Sequence, residues 1–268
     1  MKNPRRTSGL FLLAASLGAA LTVAGTTAVQ AQDTPDVGLT LEETISLKRV
    51  GKAVMSPNGD AIAYLLSVPR TPYVDEDGGA WSELHVVTTE GVSRSYAEGK
   101  VSISDLAWSA DGSALFFTGK LDQEMEQPVI YRMPVDGGGP QAIYAPGTGV
   151  SGLAPSPDGT RLAYLAVTPA DPKDKELAAL GFNAHVYEES DEATLVWVLD
   201  LESGEAEPLD LNGSASGFDW GPEGERLAIA LAPTPQVDDE LMSRDIVIVD
   251  AVDGDVEDRL GHRGKLGR

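Results

Sequence analysis

The chain has 268 residues, 42% hydrophobic and 23% charged, with 29 Gly, 17 Pro and no Cys. That apolar fraction is ample for a core, the frequent Gly and Pro argue against long helices, and the lack of Cys excludes disulfides, thiolate nucleophiles and Cys-ligated metals. A formal net charge of −22 repels phosphate, which excludes nucleic acid and anionic membrane surfaces as partners.

Residues 1–31 read as a secretory signal peptide. Lys2, Arg5 and Arg6 form a positive start, Leu10 to Ala24 is an apolar Ala/Leu-rich run, and Val29-Gln30-Ala31 offers small residues for cleavage before Gln32. The run is shorter than the roughly 20 apolar residues of a membrane span. The expected location is therefore secreted or periplasmic, with no membrane attachment after cleavage. Cleavage would remove three positive charges and no acid, so the mature chain is more acidic still. Residues 32–52 form a lead-in and a short helix, expected over Thr40 to Val50. Thr40 and Glu43 have capping-box spacing, and Leu41, Ile45 and Leu47 give one apolar side.

From Ala53 the pattern becomes strand. One phrase recurs four times: Ser56-Pro57-Asn58-Gly59, Ser109-Ala110-Asp111-Gly112, Ser156-Pro157-Asp158-Gly159 and Gly221-Pro222-Glu223-Gly224, each followed by a short apolar run. In the third copy, Pro presets φ, Asp can bond back to the backbone, and Gly tolerates positive φ, so the phrase predicts a tight turn between antiparallel strands. Strands ending in Trp108 and Trp220 precede two of the turns. After each turn comes a further apolar strand: Trp81 to Val87, Val129 to Val135, Leu195 to Leu201, and Asp245 to Asp250. Each leads through a Gly-containing turn to an outer strand such as Ala206 to Leu211.

That order makes four strands per repeat. The copies start 53, 47 and 65 residues apart, near the roughly 40–50 residues of propeller blades. The expected fold is all-β: a partial β-propeller of about four four-stranded antiparallel blades over residues 53–268, preceded by the signal peptide and short helix. A β-sandwich is the weaker fit, because it would not require the same phrase in each strand set. An insertion near 168–193 accounts for the long interval. Asp174 to Leu180 has helical composition with Gly181 as its stop, followed by Phe182 to Tyr187 and the acidic run Glu188-Glu189-Ser190-Asp191-Glu192.

These repeats resemble two groups: the periplasmic TolB-type propellers, and the N-terminal propeller of secreted bacterial prolyl oligopeptidase family serine peptidases of the acylaminoacyl or dipeptidyl peptidase kind. Val68-Pro69-Arg70, Asp75 to Leu84 and Gly181 to Glu189 carry the peptidase resemblance most specifically. The resemblance implies a seven- or eight-bladed propeller that filters peptides for a following α/β-hydrolase domain. That domain would supply a Ser on a G-x-S-x-G elbow, then Asp and His.

The 268 residues contain no G-x-S-x-G; Gly213 to Gly217 and Gly149 to Gly152 come nearest. The expectation is a non-catalytic part of a serine peptidase, truncated before its hydrolase domain and meeting peptide substrate through it. The alternative is a free-standing TolB-like protein-binding module. By the same resemblance, Glu188 and Glu189 are the candidate substrate-binding pair, holding a peptide's free amino group. His85, His185 and His262 stand beside no nucleophile motif, and His85 is expected to be structural. Asp75 to Gly78 and the acidic stretch 250–258 lack the spacing of a calcium loop, so no metal or cofactor is expected. A partial ring leaves apolar faces and strand edges uncovered, which predicts self-association through the open edges.

Overall fold

A computed structural model describes residues 38–184 and 191–261. It opens with α1 (Leu41–Ile45), capped reciprocally: the Thr40 hydroxyl accepts from Glu43 N at 3.1 Å, and Thr40 N donates to Glu43 Oε2 at 2.9 Å. The helix is shorter than its expected span. The chain leaves it to enter strand β1 (Arg49–Met55), where Arg49 and Val50 pair with Ser67 and Leu66.

Four antiparallel meanders follow. The first comprises β1, β2 (Ala61–Val68), β3 (Trp81–Thr88) and β4 (Ser93–Ala97). The second comprises β5 (Ser102–Trp108), β6 (Ala114–Lys120), β7 (Val129–Pro134) and β8 (Gln141–Tyr144). The third holds β9 (Ser151–Pro155), β10 (Arg161–Ala166), helix α2 (Pro172–Ala179), β11 (Leu195–Asp200) and β12 (Ala206–Pro208). The fourth holds β13 (Ser214–Trp220), β14 (Arg226–Ala232), helix α3 (Val237–Met242), β15 (Asp245–Asp250) and β16 (Val256–Leu260). These are the four four-stranded blades that the sequence predicts. The first two are linked into one sheet by a single parallel bridge between Ser82 and Ser102.

The repeated phrase forms the same turn four times. Gly59, Gly112, Gly159 and Gly224 have φ between 71° and 76° and donate to Ser56, Ser109, Ser156 and Gly221 carbonyls at 2.9 Å. Only glycine adopts that backbone without strain. The three serines are buried, and each hydroxyl accepts the amide of the residue opening the next strand: Ala61, Ala114 or Arg161. The fourth turn has Gly221 in that place and keeps only the backbone bonds.

Blades stack face to face, and alternation along each strand sends neighbouring side chains to opposite neighbours. Ala63, Leu65, Leu84 and Val86 of the first blade pack on Leu106, Leu115, Phe117 and Tyr131 of the second. Phe116 and Ile130, on the other side of the second blade, meet Leu162, Tyr164 and Leu199 of the third. Ala163, Leu165 and Val196 then meet Leu227, Ile229 and Val247 of the fourth. Strands β6 and β10 are therefore buried on both faces, whereas β2 and β14 have one face of lower burial. Among the described residues β1 pairs only with β2, and β16 only with β15, so the arc is open. The outer side of the first blade leaves Val50, Met55 and Ile62 exposed.

Polar bonds also cross the interfaces. Trp108 Nε1 donates to the Val54 carbonyl and Trp220 Nε1 to the Ala154 carbonyl, both at 3.0 Å, so each Trp fastens its inner strand to that of the preceding blade. Pro155 occupies the corresponding place in the third blade, and there Asp105 makes the link. This buried carboxylate pairs with the Lys52 ammonium of β1, and its Oδ2 accepts Leu153 N of β9 at 3.0 Å. One side chain thus ties the inner strands of three blades.

Candidate functional site

The meander order places the recurring turns and the β3–β4 type of hairpin at one end of every blade. Residues of successive turns lie together: a Cβ on Gly112 would meet Pro57 Cδ at 3.6 Å, and one on Gly224 would meet Asp158 Cγ at 3.3 Å. The second-to-third-strand connections of all four blades therefore share the opposite face. They are the long ones, over residues 69–80, 121–128, 167–194 and 233–244. A face of variable loops on a regular scaffold is where binding groups are carried.

The first of these loops is tightly held. Arg70 Nε donates to the Gly79 carbonyl at 2.7 Å and Nη1 to the Glu76 carbonyl at 2.8 Å, while the guanidinium lies 3.8 Å over the Trp81 ring. Gly78 lets the guanidinium lie close: a Cβ there would fall 2.7 Å from it and push it aside. Asp75 accepts Thr71 N at 2.8 Å and faces Lys100 at 3.7 Å; the Thr71 amide, foremost, holds its carboxyl below the usual range. At the crest stands Tyr73, fully exposed, with φ of 63°, the one non-glycine residue in that region among those described.

The third loop carries α2, capped by Asp171 with Pro172 at its first position. Gly181, at φ 93°, ends it as expected, and Phe182 N returns to the Leu177 carbonyl at 2.9 Å. Leu180 and Phe182 stand exposed beyond the helix. Glu188 and Glu189 lie outside the described residues, as do His185 and His262. In the fourth loop, Thr234 Oγ1 donates to Asp239 at 2.6 Å, and Arg244 reaches Ser216 at 2.9 Å. By sequence the four loops hold sixteen acidic and four basic residues, so the face attracts cationic groups.

His85 has the structural environment expected of it. Its ring stacks on Tyr64 at 5.4 Å and its Nε2 lies 3.1 Å from Glu83; no Ser or Thr hydroxyl of the described residues bonds to it. Burial alone would raise the Glu83 carboxyl, but the Gly99 amide and His85 outweigh it and leave the pKa lowered. The sequence marks Arg70 only as part of a stretch of resemblance, and singles out neither Asp105 nor Arg132. A signal existed for Arg132, the one charged residue in the otherwise apolar run Val129–Pro134.

No family model matches the chain. It is 27% identical over 140 residues to dipeptidyl-peptidase 5 of Porphyromonas endodontalis, covering 51% of this chain and 19% of that protein. The chain thus spans about a fifth of that relative's length. Acylaminoacyl peptidase from Pyrococcus horikoshii superposes with a TM-score of 0.58 at 14% identity, over 83% of this chain and 34% of that one. The β-propeller domain of the Trilobed protease from Pyrococcus furiosus gives 0.55 at 14% identity, over 82% and 58%. These superpositions show a β-propeller fold, with blades like those of peptidase propellers. TolB from Acinetobacter baumannii shares the blades too, with a TM-score of 0.52 at 16% identity over 80% of this chain and 44% of that one. The exposed Tyr73 and Phe182 both belong to long connections on one face.

Proposed function

We propose that this chain is the substrate-admitting propeller part of a secreted serine peptidase acting on peptides, and that it carries no nucleophile of its own. The match to dipeptidyl-peptidase 5, in a chain whose blades follow those of peptidase propellers, carries this reading. The loop face supports it: a tightly held first loop and exposed aromatic side chains at Tyr73 and Phe182, in a field that draws in the ammonium of a peptide terminus. Glu188 and Glu189 hold that ammonium in this proposal. Residues 1–31 direct export.

Purified chain without residues 1–31 is expected to leave chromogenic dipeptide substrates intact. Hydrolysis abolished by a serine-directed reagent overturns the non-catalytic assignment. The same chain is expected to bind peptides with a free amino terminus in preference to acetylated ones, and the Glu188→Gln, Glu189→Gln double variant to lose about tenfold in that preference. Equal binding of both peptide forms by the unaltered chain would instead favour a TolB-like protein-binding module, a reading supported by the shared blades.

We also propose that copies of this chain associate through the uncovered outer blades. Val50, Met55 and Ile62 lie on the outer side of β1 and β2, and among the described residues the far edge of β1 has no strand partner. Sedimentation velocity on the isolated chain is expected to show mass growing with concentration. A single monomeric species throughout would overturn it.

A further inference from the structure

On the turn face, away from the long loops, the second and third blades part to leave a cleft of about 520 Å³. That is within the roughly 300–1,000 Å³ of small-molecule sites. Phe116, Ile143 and Leu201 provide apolar wall, and the turns of the two blades contribute Asp111 and Asp158. Arg132 also lines the cleft, from the β7 position directly across the ladder from Phe116.

The cation in this cleft is left unmatched. Arg132 is partly buried and makes no hydrogen bond or ion pair with any described residue. A guanidinium cannot shed its proton, so it stands there as a fixed cation whose donors lack protein acceptors. The carboxylates are anchored elsewhere. Asp111 accepts from the Ser109 hydroxyl at 2.7 Å and from Ser113 N at 3.0 Å, and these bonds, the first foremost, hold its pKa down to about 2. Asp158 is held below its usual range the same way, by the Ser156 hydroxyl and then the Thr160 amide. Both remain ionised wherever the protein is folded near neutrality.

The neighbouring interface shows what closes such a gap. Between the third and fourth blades, Arg161 extends across to donate to the Gly224 carbonyl at 2.7 Å and lies 5.5 Å over the Trp220 ring. One blade earlier, the residue at the same place after the turn is Ala114, which is too short to bridge. The cleft between the first two blades, about 500 Å³, also stays open, but Thr88, Thr89 and Glu90 give it a polar wall and its Arg94 is exposed.

A simple anion would be repelled by Asp111 and Asp158, and a simple cation would leave Arg132 unmatched. A ligand bearing both charges satisfies both. We propose that the cleft between the second and third blades binds a small zwitterion with an apolar side chain, a free amino acid or a dipeptide. Its carboxylate pairs with the Arg132 guanidinium, its ammonium faces Asp111 and Asp158, and its side chain rests on Phe116, Ile143 and Leu201. The site is separate from the loop face and stands whether or not the proposed peptidase role holds.

Calorimetric titration of the whole chain with leucine and with Gly-Leu tests this, the tighter of the two identifying the source. Saturable binding of at least one is expected. Leucine amide and N-acetyl-leucine, each lacking one charge, are expected to bind about tenfold more weakly or worse. Arg132→Gln is expected to weaken the zwitterion by a similar factor, about tenfold, with an unchanged melting temperature because Arg132 makes no internal bond. Arg94→Gln in the neighbouring cleft is expected to bind as the unaltered chain does. The proposal is overturned by no saturable binding of either ligand, by undiminished binding to Arg132→Gln, or by equal affinity for either singly charged analogue.

Discussion

Asp105→Ala is expected to lower the free energy of unfolding by about 3 kcal/mol. The carboxylate is buried, its side chain 8% exposed, and three groups rely on it: the Lys52 ammonium, Leu153 N at 3.0 Å and Leu106 N at 2.8 Å. Alanine leaves the Leu153 amide unpaired between the second and third blades. The lost ion pair weighs less, because Lys52 is 40% exposed and water can replace its partner. Asp105→Asn keeps an acceptor for Leu153 and is expected to cost only about 1 kcal/mol. Urea unfolding of the three proteins measures the difference. An alanine variant within about 0.5 kcal/mol of the unaltered chain would show that the carboxylate does not join the blades.

Phe117→Ala is expected to cost about 4 kcal/mol, the range for emptying a large aromatic site. Phe117 is fully buried and stacks on Tyr131 at 5.1 Å between the first and second blades. The neighbouring strands are themselves paired on both sides, so the walls cannot collapse into the space. Ile62→Ala is the matched control. It sits on the uncovered side of the first blade, and its loss is expected to cost under about 1 kcal/mol. Comparable losses at the two positions would mean that the outer side of the first blade is covered in solution.

The turns and strand order were legible because they depend on neighbours in the chain. A Gly able to take positive φ at the end of a four-residue turn is a local requirement, and it recurs in every blade. The capping of α1 by Thr40 and the stop of α2 at Gly181 were legible for the same reason. The end of α1 was not. Residues 46–50 could extend a helix by composition, but Arg49 and Val50 enter β1 because they find Ser67 and Leu66, partners eighteen and sixteen residues away. The candidate site was legible only as a set of long connections. That all four share one face follows from how the turns of neighbouring blades meet.

By itself, then, the sequence determined the repeat: its turns, its four strands, its number and its likeness to peptidase propellers. Those properties rest on local backbone geometry and on alternation, which are written every few residues. Only the tertiary structure decided what the blades share. Trp108 bonds a carbonyl 54 positions earlier, and Asp105 an amide 48 positions later. Arg161 bridges to the next blade while Ala114 does not. Such pairings join groups far apart in the chain, and they exist only once hydrophobic faces have brought the blades into register.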